Sequence, residues 1–242
     1  MDEETRFKVY KDWAERFDCD ISSMAIPNVI VREHSKSLKG YNGIYCFFNG
    51  TTSIISSPTK YTSYIKRAIS GRYPMETFDS NFLVKSIDIG KYKVIGPAFQ
   101  GYIDMASFLE ASSLEVVELV TSNQLSLLND LRKSCSETEW EHSSIEINRQ
   151  PILARISDER IVAAGSWRVE ESGFLSVGIL SHPDYRGEGH AKAVVSALTR
   201  KGLEDGFTMH YQTLISNSSS VAIAKSLGYE ELACTLAIRI LE

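Results

Sequence analysis

The stretch His182-Pro183-Asp184-Tyr185-Arg186-Gly187-Glu188-Gly189-His190-Ala191 joins an apolar run, Phe174 to Leu180, to a segment in which Ala191, Val194, Val195 and Leu198 recur at i, i+3, i+4 and i+7. That order reads as strand, glycine-bearing loop and amphipathic helix. Pro183 has no N–H to give and stops sheet pairing. The first turn of a helix carries N–H groups without intrahelical acceptors, and the helix dipole adds partial positive charge there. Gly187 and Gly189 allow positive φ and close backbone approach to a bulky group. The chemistry suited to this arrangement is the binding of a phosphate or pyrophosphate. No Gly-Lys-Ser/Thr follows, so the loop is not a P-loop, and Lys192 stands where a dinucleotide fingerprint has its third glycine.

A second concentration of reactive side chains is Glu139-Trp140-Glu141-His142. An aromatic ring, two carboxylates and an imidazole within four residues can hold a cationic amine and take its proton. The alternative is a polar segment with Trp140 anchored in a core. His182 and His210 stand alone, and a lone histidine is usually hydrogen-bonded structure.

The spacing Arg186-x-x-Gly189-x-Ala191 resembles the acetyl-CoA loop of the GNAT acetyltransferases, which reads Arg/Gln-x-x-Gly-x-Gly/Ala. Asn217, Ser220, Leu227, Gly228 and Tyr229 resemble a second signature of one branch of that family, Asn-x-Ala-Ser, a short helix, then Leu-Gly-Phe/Tyr. The resemblance implies an α/β (α+β) fold: a mixed, mostly antiparallel sheet with flanking helices and one splayed parallel strand pair. It implies acetyl-CoA as co-substrate, and no metal. The pantetheine arm would pair with the backbone near Ile179, Leu180 and Ser181. The pyrophosphate would sit on the N–H groups of Arg186, Gly187, Glu188, Gly189, His190 and Ala191, and Asn217 would meet the arm from the other side. The implied reaction is direct attack of a primary amine of a small molecule on the thioester in a ternary complex. Many members place a proton-donating tyrosine four residues before the Leu-Gly glycine. Ala224 stands there in this chain, so the role passes to Ser220, whose other reading is a helix-start cap. The family's glutamate position falls on Gly173, with Glu171 two residues before it. Glu141 and His142 are the better candidates for the base, because family substrate sites commonly follow the first helix. A non-catalytic acyl-CoA-binding module and a protein N-terminal or lysine acetyltransferase are the alternative readings.

The elements that must position these residues occupy the second part of the chain. Leu114–Val120 reads as a strand, and 124–131 as a helix with Leu125, Leu128 and Leu131 inward. Ile152–Ile156, Ile161–Val169 and Phe174–Leu180 form an antiparallel meander. A helix over Arg186–Leu203 crosses to Met209–Ile215, which runs parallel to 174–180 as right-handed crossovers allow. A helix at 219–226, Gly228 as its C′ residue, and a closing strand Glu230–Leu241 follow. The boundary is placed near residue 113, giving a smaller N-terminal α/β domain over 1–113, read as either a degenerate copy of the same fold or a structural partner, and an acetyltransferase domain over 114–242. In the first part, residues 4–18 read as a helix burying Tyr10, Trp13, Ala14 and Phe17, and 21–40 as irregular. Asn49-Gly50 between Gly43–Phe48 and Thr51–Ile55 is a hairpin signal. Ser57 is the expected cap of a helix with Pro58 at its first position. Strands are expected at 82–88 and 91–95, a break at Ile95-Gly96-Pro97, and a short helix over Asp104–Ala111.

With 242 residues, 43% of them hydrophobic, the chain can build one large or two modest cores without a disulfide or metal staple. Its apolar runs fall short of the roughly 18 residues that a membrane span needs. The acidic start, Met1-Asp2-Glu3-Glu4, is unlike a secretory signal. Cys19, Cys46, Cys135 and Cys234 are scattered and read as reduced thiols of a cytoplasmic protein. Residues 114–242 carry 12 Lys+Arg against 18 Asp+Glu, whereas 1–113 carry 14 against 13. An acidic catalytic part argues against nucleic acid as a partner and suits a cationic amine. A homodimer is compatible with everything above.

Overall fold

The computed structural model describes residues 1–111, 114–119, 121–146 and 151–241, without the side chains of Ser122 and Leu125. In chain order it contains α1 (Glu3–Phe17), β1 (Asn28–Glu33), β2 (Gly43–Phe48), β3 (Thr52–Ser57), α2 (Thr59–Ala68), α3 (Pro74–Thr77), α4 (Ser80–Lys85) and β4 (Tyr92–Ile103). Then come β5 (Val117–Glu118), α5 (Ser122–Ser134), α6 (Glu137–His142), β6 (Leu153–Ser157), β7 (Arg160–Val169) and β8 (Leu175–Ser181). The chain ends with α7 (His190–Glu204), β9 (Met209–Leu214), α8 (Ser218–Ser226) and β10 (Glu230–Ile240). The class is mixed α/β, mostly antiparallel, with helices flanking the strands.

The fold divides into two compact units. One comprises Asp2–Gln100, Thr213–Val221 and Glu231–Glu242, the other Met1, Gly101–Gln212 and Ala222–Glu230. Each unit therefore draws on segments from both sides of residue 113. Ser113, where the boundary was expected, lies outside the described residues, as does Val120.

In the unit that begins at Asp2, β2 and β3 form the expected hairpin, and β1 pairs parallel to β3 while β10 pairs antiparallel to β2. Strand β1 falls within the stretch expected to be irregular; its edge pattern buries only Val31, so it carries little periodic signal. Helix α1 is capped by Asp2, whose carboxylate accepts from the Thr5 N–H at 2.7 Å. It buries Val9, Trp13, Ala14 and Phe17, with the Trp13 ring 5.0 Å from Phe47. Tyr10 is only half-buried. A core of Val31, Ile44, Cys46, Ile55, Ile65, Leu83, Leu236 and Ile238 ties the strands to α2 and α4.

Three local expectations for this unit are corrected. Pro58, not Ser57, precedes the first helical residue of α2, and the Ser57 hydroxyl lies 3.0 Å from that of Thr62. Residues 80–85 are helical, because Asp79 accepts from the Phe82 N–H at 2.8 Å and nucleates a turn. Strand β4 runs through Gly96-Pro97. Proline still accepts, its carbonyl receiving the Ile215 N–H at 2.9 Å, and a Cβ at Gly96 would stand 2.8 Å from the Thr235 oxygen.

In the loop-bearing unit, β5, β6, β7 and β8 pair antiparallel in succession, and β9 pairs parallel to β8. This is the expected meander followed by a crossover through α7 between two parallel strands. One layer of core lies under α5, where Leu128, Leu131, Ile152, Ala154, Ala164 and Leu180 cluster. On α7, Val194, Val195 and Leu198 are fully buried. Gly165 leaves room for Leu198, whose Cδ1 would come 3.0 Å from an added Cβ. Helix α7 starts at His190, not Arg186, and β5 is only two residues long within the expected 114–120 strand. Residues 104–111 are not helical. The Asp104 carboxylate accepts from the N–H of Ser107, Leu109 donates to the Leu227 carbonyl, and Ala111 donates to the Ser196 hydroxyl. Those bonds tie the backbone to neighbours instead of to itself.

Candidate active site

The site begins at the end of β8. Its registered pairs with β9 are Leu175–Met209, Ser176–His210 and Val177–Tyr211, whereas its pairing with β7 continues to Ser181. The two parallel strands are thus in register only at the start of β8, which matches the expected splay. Ile179 and Ser181 are half-buried on the stretch beyond the last registered pair, and Leu180 is buried against α5.

Past β8, Pro183–Tyr185 make one 3₁₀ turn, closed by the Arg186 N–H on the Pro183 carbonyl at 3.4 Å. The Arg186 N–H is therefore used inside the loop and is not among the groups offered to a ligand. Gly187 and Gly189 take φ of 88° and 85°, in the left-handed region, and an added Cβ at either would meet nothing within 4 Å. Gly189 is the N-cap of α7, and the first backbone bond of the helix runs from Ala193 to its carbonyl. The N–H groups of His190, Ala191 and Lys192 precede that bond. The result is an exposed cradle, open at both glycines, at the positive end of a 15-residue helix.

Two charged links brace the cradle. Arg186 Nη2 donates to Glu139 Oε1 at 2.7 Å and to the Ser181 carbonyl at 3.3 Å. His190 Nε2 lies 3.1 Å from Glu188 Oε2. Cys135 adds a thiol contact to the Ser181 carbonyl at 3.5 Å, and burial raises its pKa, so it behaves as a thiol and not a thiolate nucleophile. The segment after α6 also packs on β8, with the Ser143 carbonyl against Gly178. Sequence reading missed these contacts: Glu139, Cys135 and Ser143 reach the loop and β8 from distant positions in the chain, and the Glu188–His190 link depends on how two side chains turn.

The cluster at 139–142 is divided by the structure. Glu139 completes a capping box with Ser136, a signal present in the sequence as Ser136-x-x-Glu139. The Ser136 backbone and hydroxyl bonds, then Arg186, hold its carboxyl below the ordinary range. Trp140 packs against the α5 core, and the cation over its ring is Arg132, 5.0 Å from the centroid. Glu141 and His142 are exposed at the end of the short helix α6. A cavity of about 550 Å³ is lined by His182, Leu127, Leu131, Asp130, Asp158 and Glu159, among others.

The two lone histidines differ. His182 Nδ1 accepts from the Asp184 N–H within the loop. His210 is buried on β9, with Nδ1 2.7 Å from Glu170 and its ring stacked on Tyr102 at 4.4 Å. It pairs with Ser176 near the start of β8, five residues from Ser181, and reads as structure.

Asn217 and Ser220 fall in the other compact unit. Asn217 Oδ1 accepts from the Ser220 N–H at 3.3 Å, and its carbonyl receives the Val221 N–H, so Asn217 caps α8. Ser220 is half-buried at the third position of that helix. Ala224 is fully buried. Tyr229 is buried as well, with its hydroxyl 2.7 Å from that of Thr199, and burial drives its pKa upward, so it is a poor proton donor to a ligand.

Residues 153–235 match the family model for GNAT acetyltransferases. An acetyltransferase of the GNAT family from Colwellia psychrerythraea superposes with a TM-score of 0.52 at 14% identity, covering 82% of this chain and 81% of its own. A GCN5-related N-acetyltransferase from Kribbella flavida gives 0.50 at 15% identity, covering 67% and 63%. No curated protein sequence matches the chain. At those identities the structural likeness speaks to the fold, while the matched segment holds the cradle, both strands of the splayed pair, and the Asn217–Tyr229 signature. Residues 153–235 are thus similar to the GNAT acetyltransferases, and the fold is one that solved GNAT structures share.

Proposed function

We propose that the chain transfers the acetyl group of acetyl-CoA to a primary amine of a small molecule, by direct attack in a ternary complex. The observation that carries this is the cradle at Gly187–Gly189. It is open where a Cβ would stand, faces the N-terminal turn of α7, and directly follows a strand whose parallel partner has left register. A pyrophosphate fits such a cradle, and acetyl-CoA supplies the acyl group as a thioester.

The residues divide the work as follows. Backbone groups of Ile179, Leu180 and Ser181 bind and orient the pantetheine arm. The N–H groups of Gly187 through Ala191 hold the pyrophosphate. Polarisation of the thioester carbonyl falls to a backbone N–H at the end of β8. Glu141 or His142 takes the amine proton, which a lysine-like amine of pKa about 10.4 still carries at neutral pH. Ser220 returns a proton to the leaving sulfur, directly or through water. Around the cavity at His182 three carboxylates, Asp130, Asp158 and Glu159, stand against the guanidinium of Arg160, an acidic balance that favours a cationic acceptor.

The test is calorimetric titration with acetyl-CoA, followed by CoA release with a panel of small amines and with peptides bearing free N-termini or lysines. Saturable binding plus turnover on a small amine supports the proposal. Turnover on peptides alone makes the chain a protein acetyltransferase. Binding without turnover makes it an acyl-CoA-binding module, and absence of binding overturns the reading of the cradle.

A further inference from the structure

An acidic residue inside an anion cradle is a conflict, and the structure contains what resolves it. Glu188 stands between the two positive-φ glycines, its side chain 58% exposed. A glutamate at that point has two ways to oppose a bound phosphate. It repels the anion directly, and it can swing across the first turn of α7 and accept from the N–H groups that the anion needs, since carboxylates are favoured at helix N-termini.

His190 occupies the first position of α7, is 9% exposed, and has its ring 6.3 Å from that of Tyr185. Its Nε2 lies 3.1 Å from Glu188 Oε2, while its Nδ1 is buried without a hydrogen-bond partner. Glu188 is thus the one polar partner recorded for the ring among the described residues. A histidine held for packing alone would not need that link, and a buried polar ring normally uses both nitrogens.

We propose that His190 is a positioning residue that latches the Glu188 carboxylate away from the α7 N–H groups, so that the pair sets the affinity of the cradle for acetyl-CoA. This rests on the acetyl-CoA reading of the loop. In the free protein the latch keeps the cradle from capping itself. In the loaded protein it keeps a negative charge off the phosphates.

The experiment is calorimetric titration of acetyl-CoA into the full chain and four variants at one pH and salt concentration. Removing the exposed charge in Glu188→Gln tightens binding by about threefold, the size expected of a surface charge. Glu188→Asp keeps the charge on a shorter arm that cannot hold the His190 contact, and weakens binding by about fivefold. His190→Asn weakens it similarly. The double variant His190→Asn, Glu188→Gln returns to within about twofold of Glu188→Gln alone, because no carboxylate remains to be freed. That rescue is the signature a purely structural histidine would not give. Equal losses from His190→Asn with and without Glu188 overturn the latch, as does Glu188→Asp binding like the parent. The aspartate variant decides the matter if His190→Asn fails to fold. Parent protein that binds no acetyl-CoA at all removes the underlying reading, and the latch with it.

Discussion

Gly178 of β8 lies directly against the carbonyl of Ser143, the residue that ends α6, so closely that a Cβ would overlap both the carbonyl oxygen and its carbon. The backbone of one element is in contact with the backbone of another, in the stretch just past the last β8–β9 pair. Gly178→Ala must push α6 outward or bend β8, and overpacking of this kind costs about 1–3 kcal/mol. We expect a lowered melting temperature and a loss of acetyl-CoA turnover larger than the loss of folded protein. A variant with the parent's melting temperature and rate would show that α6 moves aside freely.

Gly189→Val tests the cradle. The φ of 85° is costly for any L side chain and more so for a β-branched one, and the added methyls would fill the open space. Acetyl-CoA affinity should drop at least tenfold, which is about 1.4 kcal/mol, in a protein with an unchanged circular dichroism spectrum. Unaltered affinity in that folded variant would place the cofactor elsewhere.

Ser220 and Asn217 separate proton donation from helix capping. Asn217 carries the cap, so Asn217→Ala should cost about 1 kcal/mol of stability. Ser220→Ala should lower kcat, by up to about a hundredfold or more if the hydroxyl acts directly, with acetyl-CoA affinity nearly unchanged. Ser220→Thr keeps the hydroxyl and most of the rate. A destabilised but fully active Ser220→Ala variant would return the proton donor to water or to another residue.

Glu139 gives a pH dependence whose sign is fixed. Bonds to Ser136 and then Arg186 lower its carboxyl pKa in the folded state. A depressed carboxyl contributes stability above its unfolded pKa and loses it as the pH falls through the folded value. The melting temperature of the parent should therefore exceed that of Glu139→Gln at pH 7, with the gap closing on acidification below the carboxylate range. Because Glu139 is largely solvated, the gap is small. A difference that persists undiminished at acid pH would assign the effect to packing.

The sequence by itself determined whatever depends on neighbours along the chain. The strand–glycine–helix order at 174–204, the Asn49-Gly50 hairpin and the Leu227-Gly228 helix stop are local signals, because periodicity and left-handed turns are properties of a few consecutive residues. The glycine-bearing loop ahead of α7 was legible for that reason. Local reading failed where a side chain chose a distant or competing partner. Asp79 turned an apolar run into α4, Asp104 and its neighbours replaced a helix with bonds to Leu227 and Ser196, and β4 passed through Gly96-Pro97 because its partners lie more than a hundred residues away. The division of the Glu139–His142 cluster was likewise a tertiary decision. Arg186 claims Glu139 from 47 residues away, Arg132 covers Trp140, and only Glu141 and His142 remain exposed. Proximity in sequence gave four candidate groups, but burial and competing hydrogen bonds determine which of them can meet a substrate, and those are set by the packing of elements that the chain brings together only on folding.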